Sequence, residues 1–356
     1  MKQKIKIGLA FSIIPQIILV KWFGNYPHLV EKYYSEGIYL VISKFLRSLF
    51  GWVPFSVGDI FYTVLATSAI RYVYLNGKSF RKKPKRLLLH IGYALSITYF
   101  IFHLFWGMNY YRVPINEKFS VEKTTYTIEE LEQFSKKLIL ETNRMQYLLT
   151  KDVTKPVEIN LSREEIFQVA VIGYRDFSIK HPKFKYQPTS LKTSLYSLPL
   201  TYMGYGGYLN PFTGEAQVNS KTPIIRFPTV SAHEMGHQMG YSSEAETNFI
   251  GFLVTSKTMN SEFIYASYSH ALVYVLSDLK RLNEEKFNEL WKSVNTGVIK
   301  NYEEVSEFWE KYENPTEPIF KWAFNAFLKA NNQEEGIKSY NAVVGLLINY
   351  DKVHGF

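Results

Sequence analysis

From Leu87 to Tyr111 the chain runs without an Asp, Glu, Lys or Arg. Wound as a helix at about 1.5 Å per residue, such a run crosses a hydrocarbon core of about 30 Å. It ends in Trp106, Tyr110 and Tyr111, side chains that settle at the membrane–water boundary. A second charge-free stretch, Ile7 to Val20, follows Lys2, Lys4 and Lys6 and leads into Lys21, Trp22 and Phe23. A secretory cleavage site needs small residues at that point, so this stretch reads as an uncleaved span. Val53 to Leu75 is mostly apolar, and Asp59 and Arg71 lie near its ends, where both can reach headgroups. The sequence thus predicts three transmembrane helices, at about 7–23, 53–75 and 87–109. Gly37 to Phe50, with Lys44 and Arg47 at helical spacing, suits an interfacial helix or a loop helix.

Charge then orients the chain. The net charge of +9 is concentrated in part at Lys78, Arg81, Lys82, Lys83, Lys85 and Arg86, between the second and third predicted spans. With the N-terminal lysines, these belong on the cytoplasmic side, which puts everything after Tyr111 outside. Topology accounts for the basic cluster and no groove-reading or base-stacking motif accompanies it, so no nucleic-acid partner is expected. The expected location is the bacterial cytoplasmic (inner) membrane, multi-pass, with the C-terminal domain extracytoplasmic and the lipid bilayer as a partner. A hydrophobic content of 46% against 21% charged residues excludes disorder, and the lack of Cys excludes disulfides and thiolate metal sites.

Residues 112–356 read as an extracytoplasmic, mostly helical domain. Thr127 to Glu130 and Ser162 to Glu165 have the Ser/Thr-x-x-Glu form of a capping box, opening helices that run to about Leu149 and Ile179. Tyr202 to Ile225, rich in aromatic, Gly and β-branched residues, reads as hairpin strands of a small sheet. Helix returns after Pro228, including Ser261 to Leu282 and a last helix near Ser339 to Tyr350. The expected fold class is therefore mainly α: transmembrane helices (1–111), then an α+β domain (112–356) with a small sheet beside one chemically distinctive helix.

That helix carries His233-Glu234-Met-Gly-His237. Positions four apart share a helix face, so both imidazoles can reach one Zn2+ while Glu234 addresses its water. Glu234 is then the catalytic base of a metal-assisted hydrolysis. A third protein ligand is needed, and Glu244 is the first candidate, with Glu246 as the alternative. Ser243 to Glu246 is itself a capping box, which gives Glu246 a structural task, while Asn248 shares the Glu244 face and can orient a ligating imidazole. Tyr340 and His270 are candidate oxyanion donors that also suit ordinary core or surface positions. His28, His90, His103, His181 and His354 have no partner at ligand spacing. The strand around Phe212 to Val218 is expected to hold an extended peptide or protein substrate by β-addition.

This pattern resembles the glutamate zincins, whose third ligand comes from Glu-x-x-x-Asp/Asn on a following helix. Six residues separate His237 from Glu244, a shorter excursion than is usual there, and Ser243 stands where a metzincin has its third histidine. More closely, the layout resembles the bacterial domain of unknown function 3810 family: three spans, then an outward domain. The markers are Trp106-Gly-Met-Asn-Tyr-Tyr-Arg112, Asn210-Pro-Phe-Thr-Gly-Glu-Ala-Gln-Val-Asn219, the pentad with Glu244-Ala-Glu-Thr-Asn-Phe249, and Ser339-Tyr340. The resemblance implies a membrane-anchored zinc metallopeptidase. The competing reading is a non-catalytic or signalling protein whose zinc is structural or sensory.

Overall fold

The computed structural model describes residues 3–121, 124–333 and 342–356. The chain divides into two compact units, Met1–Val113 with Asn210–Glu215, and Pro114–Leu209 with Ala216–Phe356.

The first unit is helical. Gln3–Phe11 and Ile13–Gly24 meet at Ser12, whose hydroxyl donates to the Leu9 carbonyl, and together form one apolar stretch. Gln3–Gly24 and Pro84–Phe105 are the two helices long and apolar enough to cross a membrane among the described residues. Their apolar side chains, Ile18, Leu19, Trp22, Leu88 and Leu95 among them, are exposed rather than packed. The helix expected at 53–75 runs from Val57 to Lys82 instead. The Ser56 side chain caps it by accepting from the Asp59 N–H, which fixes the start, and nothing in the basic stretch breaks the helix before Lys83. It is long enough to cross a bilayer but less apolar than the other two. Tyr39–Phe50 is helical as well, preceded by a wider π-helical turn over Val30–Ile38. Arg112 closes the unit through two hydrogen bonds to the Glu31 carboxylate, at 3.1 and 2.7 Å.

Asn210–Glu215 belongs to this first unit although the remainder of the two strands it joins does not. Phe212 packs against the rings of Phe61 and Tyr62 at 5.8 and 6.2 Å. The Glu215 carboxylate accepts the N–H groups of Val57 and Gly58 and the Thr213 hydroxyl. An anion there completes the open N-terminus of a 26-residue helix.

The second unit is built on long helices. Ile128–Thr150 and Arg163–Lys180 both open with complete capping boxes, at Thr127/Glu130 and Ser162/Glu165. Ser261–Leu282 buries Phe263, Tyr265, Leu272, Val275, Leu276 and Leu279, and Glu244–Ser256 is buried along almost its whole length. The last helix spans Val343–His354, and Ser339 and Tyr340 lie outside the described residues. Three short strands, β1 (Leu191–Thr193), β2 (Gly207–Asn210) and β3 (Glu215–Val218), form one sheet in the order β1-β3-β2, with β1 parallel to β3. This corrects the expectation for Phe212 to Val218: β3 has a strand on each side, so its backbone has no edge to offer a peptide. The open edge next to the hairpin is that of β2.

Candidate metal centre

Pro228 sits in the first turn of the Phe227–Gln238 helix, where its missing N–H costs nothing. His233 and His237 then fall on one face, with ring centroids 4.7 Å apart. The helix stops at Gly240, whose φ of +83° a residue with a side chain rarely adopts. The Gly240 N–H donates to the His237 carbonyl at 2.9 Å, turning the chain back at once. That tight turn is why six intervening residues suffice. Glu244 opens the next helix with its carboxylate 3.2 Å from His233 Nε2 and 3.8 Å from His237 Nε2. One ligand atom from each of His233, His237 and Glu244 lies within 4.8 Å of the others, so the group could hold a metal ion.

The outer ring nitrogens decide what the inner ones can do. Nδ1 of His237 is 2.7 Å from the Tyr241 carbonyl, which can only accept, so that nitrogen carries the proton. Nδ1 of His233 is paired in the same sense with Asn248 Oδ1 at 2.8 Å. Both Nε2 lone pairs are therefore aimed inward, beside a carboxylate. Three acceptors converging in a buried space need a positive charge between them. The donor set, two imidazoles and a carboxylate, suits zinc and leaves a coordination position for water.

Electrostatics agree. Burial pushes the His237 imidazole down to about 4, so it stays neutral and ready to ligate. Burial also acts to lower His233, but the hydrogen bond and charge of Glu244 outweigh it and hold the group above its ordinary value. Without a metal, Glu244 therefore favours a proton on His233. Glu234, 4% exposed, is pushed up to about 8, mainly by burial and further by the Glu244 charge. Such a carboxyl can take and return a proton near neutral pH.

The alternative ligand is used elsewhere. Glu246 Oε1 accepts the Ile115 N–H at 2.7 Å, and the expected capping box is absent, since the Ser243 side chain makes no cap hydrogen bond. His270 Nδ1 pairs with the Thr229 hydroxyl at 2.8 Å, and its ring lines a small cavity shared with Asn248 and Tyr274.

Sequence reasoning missed the segment Tyr205-Gly206-Gly207. A Cβ on Gly207 would lie 2.6 Å from Glu234 Oε1 and 2.6 Å from the Gln217 carbonyl, so only glycine lets β2 approach Glu234 this closely. Burial, with the charges of Glu244 and Glu317, pushes the Tyr205 phenol up to about 12. The paired glycines after an aromatic residue were the available signal.

The sequence matches the family described as "Protein of unknown function (DUF3810)" over residues 34–348. The chain belongs to the DUF3810 family. That match reaches into both units, so in this DUF3810 chain the part of the helical unit from residue 34 onward and the His233, His237 and Glu244 cluster fall within one family domain, while the Gln3–Gly24 helix lies before it. No curated protein and no solved structure matches it.

Proposed function

We propose that this DUF3810 protein is a zinc metallopeptidase anchored in the bacterial cytoplasmic membrane by several spans, with its second unit on the extracytoplasmic side. The observation that carries the reading is the aim of the two Nε2 atoms: both converge on Glu244, each fixed from behind by an acceptor on Nδ1, with Glu234 one residue along the same helix. His233, His237 and Glu244 are the ligands, and Asn248 and the Tyr241 carbonyl set the imidazole tautomers.

Bound zinc supplies Lewis acidity toward a peptide carbonyl and makes water a better acid. Glu234 takes the proton from the attacking water and returns it to the departing amine, a role matched by a carboxyl whose proton affinity burial has raised. The open edge of β2, the strand whose Gly207 packs against Glu234, offers main-chain groups to an extended peptide. A purely structural site has no use for Glu234, whose carboxylate is not needed to hold the metal.

The test uses the full chain in detergent. Metal content is measured for wild type, His233→Ala and Glu234→Gln, with hydrolysis of a peptide library followed alongside. One zinc per chain, lost in the His233 variant and kept in the Glu234 variant with hydrolysis abolished, is the expected result. Zinc held equally by wild type and Glu234→Gln without turnover by either would move the protein to the structural or sensory class.

A further inference from the structure

Glu317–Ala330, EPIFKWAFNAFLKA, is a regular helix of which only Leu328 is buried. Ile319 is 63% exposed, Trp322 71%, Phe327 40% and Phe320 38%. At 100° per residue, Trp322, Ala326, Ile319, Ala330, Ala323, Phe327 and Phe320 fill an arc of about 160°. Lys321, Asn325 and Lys329 share a separate arc of about 80°. The helix is attached along a third, narrow line: Phe324 stands edge-on to the Tyr205 ring at 5.5 Å, and the Tyr205 hydroxyl donates to the Phe320 carbonyl at 3.3 Å. The four large apolar side chains expose on the order of 500 Å², toward the upper end of what a soluble monomer tolerates in one patch.

We infer that this helix lies in the headgroup region of a bilayer, its Trp322/Ile319/Phe327 arc sunk into the acyl boundary. The arc interleaves its large apolar side chains with Ala323, Ala326 and Ala330, giving a broad apolar face of the kind that settles into an acyl boundary. Trp322 sits where the apolar arc meets the lysine arc, the place an indole occupies at a membrane interface. Lys321 is ion-paired with Glu317, and Glu307, Glu310 and Glu313 precede the helix, so insertion rests on apolar area rather than on anionic lipid. A bilayer is at hand because the chain carries two helices able to cross one. The inference rests on the membrane-anchored reading and deepens it. Tyr205, held by this helix, is followed directly by the two glycines that meet the metal-site helix, so the substrate class is a polypeptide segment lying next to the bilayer.

The cysteine-free chain makes the test clean. Single cysteines replace Ala323 on the apolar arc, Lys329 on the polar arc, and Leu95, exposed on the Pro84–Phe105 helix. Each carries a bimane, and the full chain is reconstituted in phosphatidylcholine nanodiscs. Quenching at 323 by doxyl-labelled lipid severalfold stronger than at 329, with 323 shielded from iodide, is the expected result, unchanged by adding phosphatidylserine. Lipid quenching at 95 but iodide quenching at 323 overturns the inference alone, as does protection of 323 from both quenchers, which would mean a protein covers the face. A label at 95 that lipid does not quench overturns the membrane reading with it.

Discussion

If the His233, His237 and Glu244 cluster holds zinc as proposed, stripping it should lower the thermal midpoint of the second unit by about 8–16 °C. A ligand that binds only the folded state stabilises it by about 4 kcal/mol when present at a thousand times its dissociation constant. For a unit of this size each kcal/mol moves the midpoint by about 2–4 °C. The shift depends on pH with a definite sign. Glu244 holds His233 above its ordinary value, so in the metal-free protein the protonated pair contributes stability that is present at low pH and lost as pH rises through the folded value. Zinc must displace that proton. His237, down at about 4, offers none to displace above pH 5. The zinc-induced shift therefore grows from pH 6 to pH 8. Differential scanning fluorimetry on the chelated full chain, titrated with zinc at both pH values, measures it. An equal shift in His233→Ala, or a shift that shrinks as pH rises, would refute the reasoning.

Three further outcomes follow from named contacts. Gly207→Ala presses a methyl against Glu234 and against the Gln217 carbonyl, a backbone atom that yields little. Zinc content should stay at wild type, stability should fall by about 1–3 kcal/mol, and hydrolysis should fall by about 10²-fold; full activity would show that Glu234 is not held where β2 meets it. Glu246→Ala removes the acceptor of the Ile115 N–H, at about 1–3 kcal/mol of stability, without loss of zinc, while Glu244→Ala loses the zinc; metal analysis of the two variants separates the roles. Glu234 has a folded value of about 8 against an ordinary carboxyl, so its burial costs stability increasingly as pH rises toward 8. Glu234→Gln should raise the midpoint of the metal-free chain at pH 8, and the gain should vanish below about pH 5; a pH-independent difference would point to packing instead.

Local signals carried far in this sequence. The pentad, the two capping boxes, the Ser261–Leu282 helix and the charge-free stretch ending in Trp106 depend on contacts within a few residues, and periodicity exposes them. What failed depends on partners distant along the chain. β1 has three residues, too few to show alternation, and its parallel partner is β3, some 25 residues on. Sheet order, which makes β3 central, is not a local property. Glu246 looked like a cap or a ligand because its acceptor role points to Ile115, on the segment following the first unit. At Gly207 the paired glycines marked a close approach but could not name its partner, because a missing side chain gives the sequence nothing to align with Glu234.

The hairpin turn Asn210–Glu215 also imposes an order on biosynthesis. The helix N-terminus at Val57 and Gly58 leaves the ribosome 157 residues before the carboxylate that completes it. At about 5–20 residues per second, those amides wait roughly 8–30 s for Glu215 to emerge. The later segment must therefore deliver the turn to a helix start that has already been made, and β3, which begins at Glu215, inherits its starting point from it. A chain begun after Val113 would present Phe212 and Glu215 to water at the root of the same hairpin whose other strand meets Glu234.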